Sequence, residues 1–331
     1  MIKFRTEVEI PEFRNKVGYH HQSIMFGSCF AENIGYYLQE LCFPVIVNPF
    51  GILYNPVSIA NSLDNLITGK KFNEHDLFYS NGLYNSFLHH SRFSCSDKVD
   101  TLDRINTVAT LASNALKDSS HLFITFGTAW VFKHIMSGNV VSNCHKLPSA
   151  TFERYRLTVS QITAIWIPLV EQLRHINPNL SIVFTVSPIR HLKDGAHENQ
   201  LSKSNLLLAI EELISIFGKD SIFYFPSYEL VLDELRDYRF YASDMTHLSD
   251  TAIDFVREKF LTTILDDEAK TISAELEKII QALRHKPFNN KEISYISFVE
   301  SQLKKTHEIQ TKYPIIDLKK VIKNLNEKKA E

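Results

Sequence analysis

The stretch SIMFGSCFAE, residues 23–32, decides how this chain is read. Residues 23–26 form a short apolar run, the pattern of a strand covered on both faces, and they pass directly into Gly27. Beyond the glycine, residues 31–41 carry Ile34, Tyr37, Leu38 and Leu41 at helical spacing. A strand that turns on a glycine into a helix sets residues 28 and 29 at a helix N-terminus. Unpaired amides and the positive end of the helix dipole stabilise an anion there, whether a thiolate or a tetrahedral oxyanion. The position predicts a depressed pKa for Cys29. Two plainer readings stand beside this one: Cys29 as a small packed hydrophobe, and Ser28 as an N-cap whose hydroxyl satisfies a helix amide.

Outward from that turn, short apolar runs alternate with helical patterns, the arrangement of a parallel sheet wrapped by helices. Further strands are expected at residues 44–47, 121–126, 180–186 and 221–225, making five, with helices at 101–116, 159–174, 201–217 and 251–260. The chain has only ten glycines, and Gly27, Gly51 and Gly127 each fall just after a strand. Loops at the carboxyl ends of parallel strands form the ligand crevice of such sheets. Residues 70–100 are rich in Asn, Ser, His, Phe and Tyr without periodicity and read as an insertion. Their aromatic part, with His89 and His90, is either a lid or substrate-binding wall or a packed surface segment. The expected division is a domain over residues 1–266 and a helical C-terminal extension over 267–331. The extension either covers the core or meets a partner, which includes homo-oligomerisation.

At 331 residues, with 44% hydrophobic and 22% charged residues, the composition is that of an ordinary globular protein. A net charge of −2 and no long basic run exclude nucleic-acid binding by bulk charge. No apolar stretch approaches the roughly 20 residues that span a bilayer. The first residues mix charges of both signs, unlike a signal peptide, and the four cysteines are irregularly spaced, unlike a disulfide framework or a zinc site. A cytoplasmic location is the expectation.

A second constellation lies far downstream. Residues 243–249 read SDMTHLS, with Asp244 three residues before His247 and a helix following. A carboxylate so placed holds an imidazole by its Nδ1–H and leaves Nε2 to deprotonate a nucleophile. After the last strand and before the last core helix, the pair belongs to the strand-end face.

With the turn at residues 27–32, the segments NPFGILYNP (48–56), FGTAWVF (126–132), NCHKLP (143–148), SPIRH (187–191) and LRDYRFYASDMTH (235–247) together resemble the GSCFA family. That family is placed with the SGNH/GDSL hydrolases, and the resemblance covers roughly residues 20–265. It implies a three-layer, flavodoxin-like SGNH-hydrolase fold around a central parallel five-stranded sheet, and an esterase-type hydrolase or acyltransferase acting on a small-molecule, glycan or lipid acyl substrate. No metal or organic cofactor is required. Laid beside the usual GDSLTE turn, Gly27 falls on the glycine, Ser28 on the aspartate and Cys29 on the nucleophilic serine; a slip of one residue gives Ser28 instead. Gly51 matches the second-block glycine whose amide joins the oxyanion hole. The third block departs from the pattern: Gly127 is followed by Thr128, Ala129 and Trp130, so the usual asparagine donor is missing, and Thr128, Asn143 or His145 is expected to replace it. Asp244 and His247 match the closing Asp-x-x-His. Arg190, after the fourth strand, is placed to bind a carboxylate or phosphate on the substrate or to form a structural ion pair. The missing asparagine keeps a second reading open, a catalytically impaired binding or sensing module on the same fold.

Overall fold

The computed structural model describes residues 5–284 and 293–330. Five parallel strands form its centre: β1 (Ser23–Gly27), β2 (Val45–Val47), β5 (His121–Phe126), β9 (Ser181–Val186) and β10 (Ile222–Tyr224). Between them in the chain lie the hairpin β3 (Phe78–Ser80) and β4 (Leu83–Asn85), and an antiparallel sheet of β6 (Trp130–His134), β7 (Val140–Val141) and β8 (Phe152–Arg156). The central order is β2-β1-β5-β9-β10, which for five core strands is the flavodoxin-like order 2-1-3-4-5. Register pairs Met25 with Val47 on one side and with Phe123 on the other.

Side chains alternate across the sheet because successive residues of a strand point to opposite faces. Met25, Phe123, Val183 and Phe223 bury against α1 (Cys29–Glu40) and α7 (Asp250–Ile264). Ile24, Phe26, Ile124 and Phe184 bury on the other face against α2 (Pro56–Ile67), α3 (Lys98–Asp118), α4 (Val159–Ile176) and α5 (Ala196–Phe217). Covered on both sides, the strands need apolar residues at every position, and that is why they stand out in the sequence.

After α6 (Ser227–Glu229) and α7 come α8 (Asp267–Arg284), α9 (Ile293–Lys312) and α10 (Lys319–Ala330). The stripe Ala269, Ile272, Leu276 and Ile279 on α8 belongs to the same buried cluster as α1. Tyr37 donates to Glu277 at 2.7 Å and Arg284 pairs with Glu40 at 2.6 Å, so α8 is fastened along α1. The part of the extension at residues 285–292 and 331 lies outside the described residues. No helix among those described is long and apolar enough to cross a membrane.

Candidate active site

The loops at the carboxyl ends of β1, β5 and β9 open into a cavity of about 570 Å³, at the point where the strand order reverses. Ser28, Cys29, Thr128, Asn143, Arg190 and His247 all line it. Six residues spread over 220 positions of sequence are thus brought to one place by the topology.

The nucleophile-like turn is tightly framed. Gly27 has φ +145°, and a Cβ there would stand 2.5 Å from the Thr125 carbonyl oxygen, so only glycine fits. Its amide donates to Asn48 Oδ1 at 2.8 Å, and its carbonyl accepts from Leu53 at 3.0 Å. Ser28 is the N-cap of α1: it is 2% exposed, and its hydroxyl accepts from the Phe30 amide at 3.3 Å. Cys29 is the first helical residue, half-buried, and its own amide donates to no backbone carbonyl among the described residues.

The thiol departs from expectation. Burial raises the Cys29 pKa above its ordinary value, and the amides of Phe30 and of Cys29 itself, which favour the thiolate, offset only part of that. Desolvation of the anion outweighs the helix N-terminus here because the turn is packed rather than solvated.

The Asp-x-x-His loop is built quite differently. Asp244 Oδ2 accepts from His247 Nδ1 at 2.6 Å, and Oδ1 accepts from the amides of Thr246 and His247, each at 2.9 Å. These bonds, that to the imidazole first, hold the Asp244 carboxyl down to about 2. Both side chains are half or more exposed. Among the described residues, His247 Nε2 makes no hydrogen bond and none joins it to the Cys29 thiol. The neighbouring arginines serve the scaffold: Arg236 pairs with Asp233 and Arg239 with Asp237.

The oxyanion donors also fall out differently. The Gly51 amide donates to the Asn48 carbonyl at 2.7 Å, which closes a turn and takes that amide away from any substrate. What Gly51 supplies is clearance: at φ +83°, a Cβ would lie 2.2 Å from His90 Cβ. Gly127 donates to the Tyr54 carbonyl at 2.8 Å, as does the Thr128 amide at 2.9 Å. The Thr128 hydroxyl is engaged with Ser202 Oγ at 3.1 Å and accepts from the Trp130 amide. His145 lies outside the lining. It is buried, and its Nε2 bonds the Ser86 carbonyl at 2.8 Å, so it pins the insertion down. Asn143 lines the cavity with Oδ1 accepting from the His145 amide at 2.8 Å, and its Nδ2 has no partner among the described residues.

The insertion is packed, with one residue at the site. His89 is 1% exposed, stacks on Phe50 at 4.6 Å, and is pushed down to about 3 by burial, whereas His90 lines the cavity. Arg92 ties this segment to the first turn of α1, reaching Glu32 at 2.6 Å and the Asn48 carbonyl.

Sequence reasoning missed Lys203. On α5, with no exposure, its Nζ donates to the carbonyls of Gly127 and Ser187, each at 2.6 Å, and so ties together the loops after β5 and β9. Burial, then the nearby Arg190 charge, pushes this ammonium down to about 7. A signal was present: Asn199, Ser202 and Lys203 occupy the N-terminal end of the stripe that continues as Leu206, Ile210 and Leu213. Polar residues on the buried face of a helix mark where it meets a site.

A family model described as the GSCFA family matches residues 22–260, and one described as GSCFA domain protein, C-terminal domain, matches residues 276–330. No curated protein matches the chain.

Proposed function

The chain belongs to the GSCFA family, and we propose that it is an SGNH-like hydrolase or acyltransferase that cleaves an ester or thioester through an acyl-enzyme on Cys29. The observation that carries this reading is the shared cavity, in which a half-buried thiol at a helix start faces the same space as a histidine fixed by a carboxylate.

Asp244 holds the Nδ1–H of His247, which leaves Nε2 to take the thiol proton. Because burial raises the Cys29 pKa, the thiolate forms at the moment of attack rather than beforehand, and a base is required. Sulfur attacks the acyl carbon. The tetrahedral oxyanion is met by the Cys29 amide and by Asn143 Nδ2, the carboxamide standing in for the asparagine missing from the third block. His247 returns the proton to the leaving alcohol or thiol, and a thioester to Cys29 remains. In the second half, His247 takes a proton from water or from an acceptor hydroxyl or thiol as that group attacks the thioester. The Cys29 sulfur leaves and is reprotonated.

The test is incubation with p-nitrophenyl esters and acyl thioesters, followed by intact mass measurement and peptide mapping. An acyl adduct on Cys29, absent from Cys29→Ala, is expected. Full turnover by Cys29→Ala removes the assignment, and loss in Ser28→Ala alone moves the role to Ser28. The binding-module reading has its own support in the raised thiol pKa and the missing Cys29–His247 bond. A thiol sluggish toward iodoacetamide, with no turnover of any acyl donor, decides for it.

A further inference from the structure

Side chains lining the cavity include three cations, Arg154, Arg190 and Lys193, and not one carboxylate. Their charges are not equally available. Arg154 is neutralised: its guanidinium grips Asp194 with both terminal nitrogens and lies 4.3 Å over the Trp130 ring. Arg190 and Lys193, both in the loop after β9, make no ion pair or hydrogen bond among the described residues. A guanidinium left without a carboxylate or carbonyl in a partly dry cleft is costly unless something else supplies the acceptor.

Polar atoms around the cavity repeat the pattern. Arg190 Nε, Arg154 Nε, Trp130 Nε1, Ser142 Oγ and His191 Nε2 are all buried with no partner, and all five residues line the same space. Folded proteins leave only a few buried polar atoms unpaired per hundred residues. Of these five, the arginine and tryptophan nitrogens can only donate. A ligand that satisfies them must present acceptors, and beside two unpaired cations the favoured acceptor is an anion. The Lys203 ammonium, which Arg190 repels, adds to the local positive charge, and a bound anion relieves that repulsion.

We infer that the cavity contains an oxyanion subsite, centred on the Arg190 guanidinium and supported by Lys193 and Trp130 Nε1, for a carboxylate or phosphate group borne by the substrate. Arg190 and Lys193 reach the cavity from the β9 loop, whereas Cys29 reaches it from the β1 loop. The subsite's occupant rests on the acyl-transfer reading only in being called a substrate; the anion site itself does not. The acyl compound is then bifunctional, with a reactive carbonyl at Cys29 and a charged group at Arg190.

Calorimetric titration of the Cys29→Ala protein keeps binding apart from turnover. Three probes are used: glutarate, inorganic phosphate, and glutaramide, the uncharged counterpart of glutarate. Glutarate or phosphate is expected to bind at least about tenfold more tightly than glutaramide, to weaken at least about tenfold in Arg190→Gln, and to weaken with added salt. Stronger binding of glutarate assigns a carboxylate, and stronger binding of phosphate a phosphoryl group. Equal binding of glutaramide, binding unchanged in Arg190→Gln, or no binding of either anion overturns the inference. Should Arg190→Gln unfold, the exposed Lys193→Gln serves instead: several-fold weaker binding sustains the subsite, and unchanged binding overturns it. Acyl turnover unaffected by Cys29→Ala would remove the proposed nucleophile while leaving the anion subsite standing.

Discussion

The turn at Gly27–Cys29 and the loop at Asp244–His247 face one cavity, but they are held in opposite ways. The turn is fixed from outside itself: Asn48 holds the Gly27 amide, Leu53 its carbonyl, and Arg92 reaches Glu32 from the insertion. The loop is fixed from within. Among the described residues Asp244 bonds only residues 246 and 247, the Ala242 amide donates to the His247 carbonyl, and Met245 takes a left-handed φ of +58°. One region is part of the frame; the other is a self-contained cassette set on its rim. The turn is tied to three other segments and the loop to itself, and among the described residues no hydrogen bond joins Cys29 to His247.

The contrast breaks most visibly at Gly27. Gly27→Ala drives a methyl against the Thr125 carbonyl at a disfavoured φ, and a loss of about 4 kcal/mol or more is expected in urea unfolding. A normal unfolding midpoint would mean that the turn is no frame. Asp244→Asn sharpens the other side: acyl turnover should fall about 100-fold or more with the melting temperature within about 2 °C of the parent, because the bonds lost are local and exposed. A large drop in melting temperature would make the loop structural after all.

The smallest effect concerns Lys203, which belongs to the frame. Folded, it releases its proton near pH 7, while the unfolded chain holds it to the ordinary lysine value of about 10.5. Above pH 7 the unfolded state therefore binds more protons, and stability rises with pH. The rise should approach about 1.4 kcal/mol per pH unit between about pH 7.5 and 8; above that, thiols such as Cys42, raised by burial from their ordinary value to about 11, begin to lose protons in the unfolded state first and pull the other way. Lys203→Met should lack this rise. Chemical denaturation at several pH values gives the comparison, and equal slopes in the two proteins would refute it.

The five central strands were legible because each is apolar at nearly every position, a consequence of burial on both faces. The helix α2 was not. Its start, Asn55-Pro56, resembles the end of a turn, yet Asn55 is the N-cap, accepting from the Ser58 amide at 2.8 Å, and Pro56 takes the first helical position, where its missing amide costs nothing. The antiparallel sheet of β6, β7 and β8 was hidden as well, since Trp130, Phe132 and Arg154 face the cavity and blur the alternation that marks a strand. At the site, residue types and order pointed to Cys29, Asp244 and His247. The fate of individual amides did not show in the sequence: Gly51 looked like a donor, and only backbone pairing reveals that it is spent on Asn48. The Cys29 pKa failed for a related reason, because a helix start is visible in sequence and the degree of desolvation is not.

The fastening of α8 along α1 bears on synthesis. Tyr37–Glu277 and Glu40–Arg284 join residues more than 200 positions apart. A chain leaving the ribosome has α1 in place long before α8, with Leu276, exists to close the buried cluster that the two share. The packing around the helix that carries Cys29 is thus completed among the last parts of the molecule, and a nascent chain stalled before α8 leaves apolar surface of that cluster uncovered.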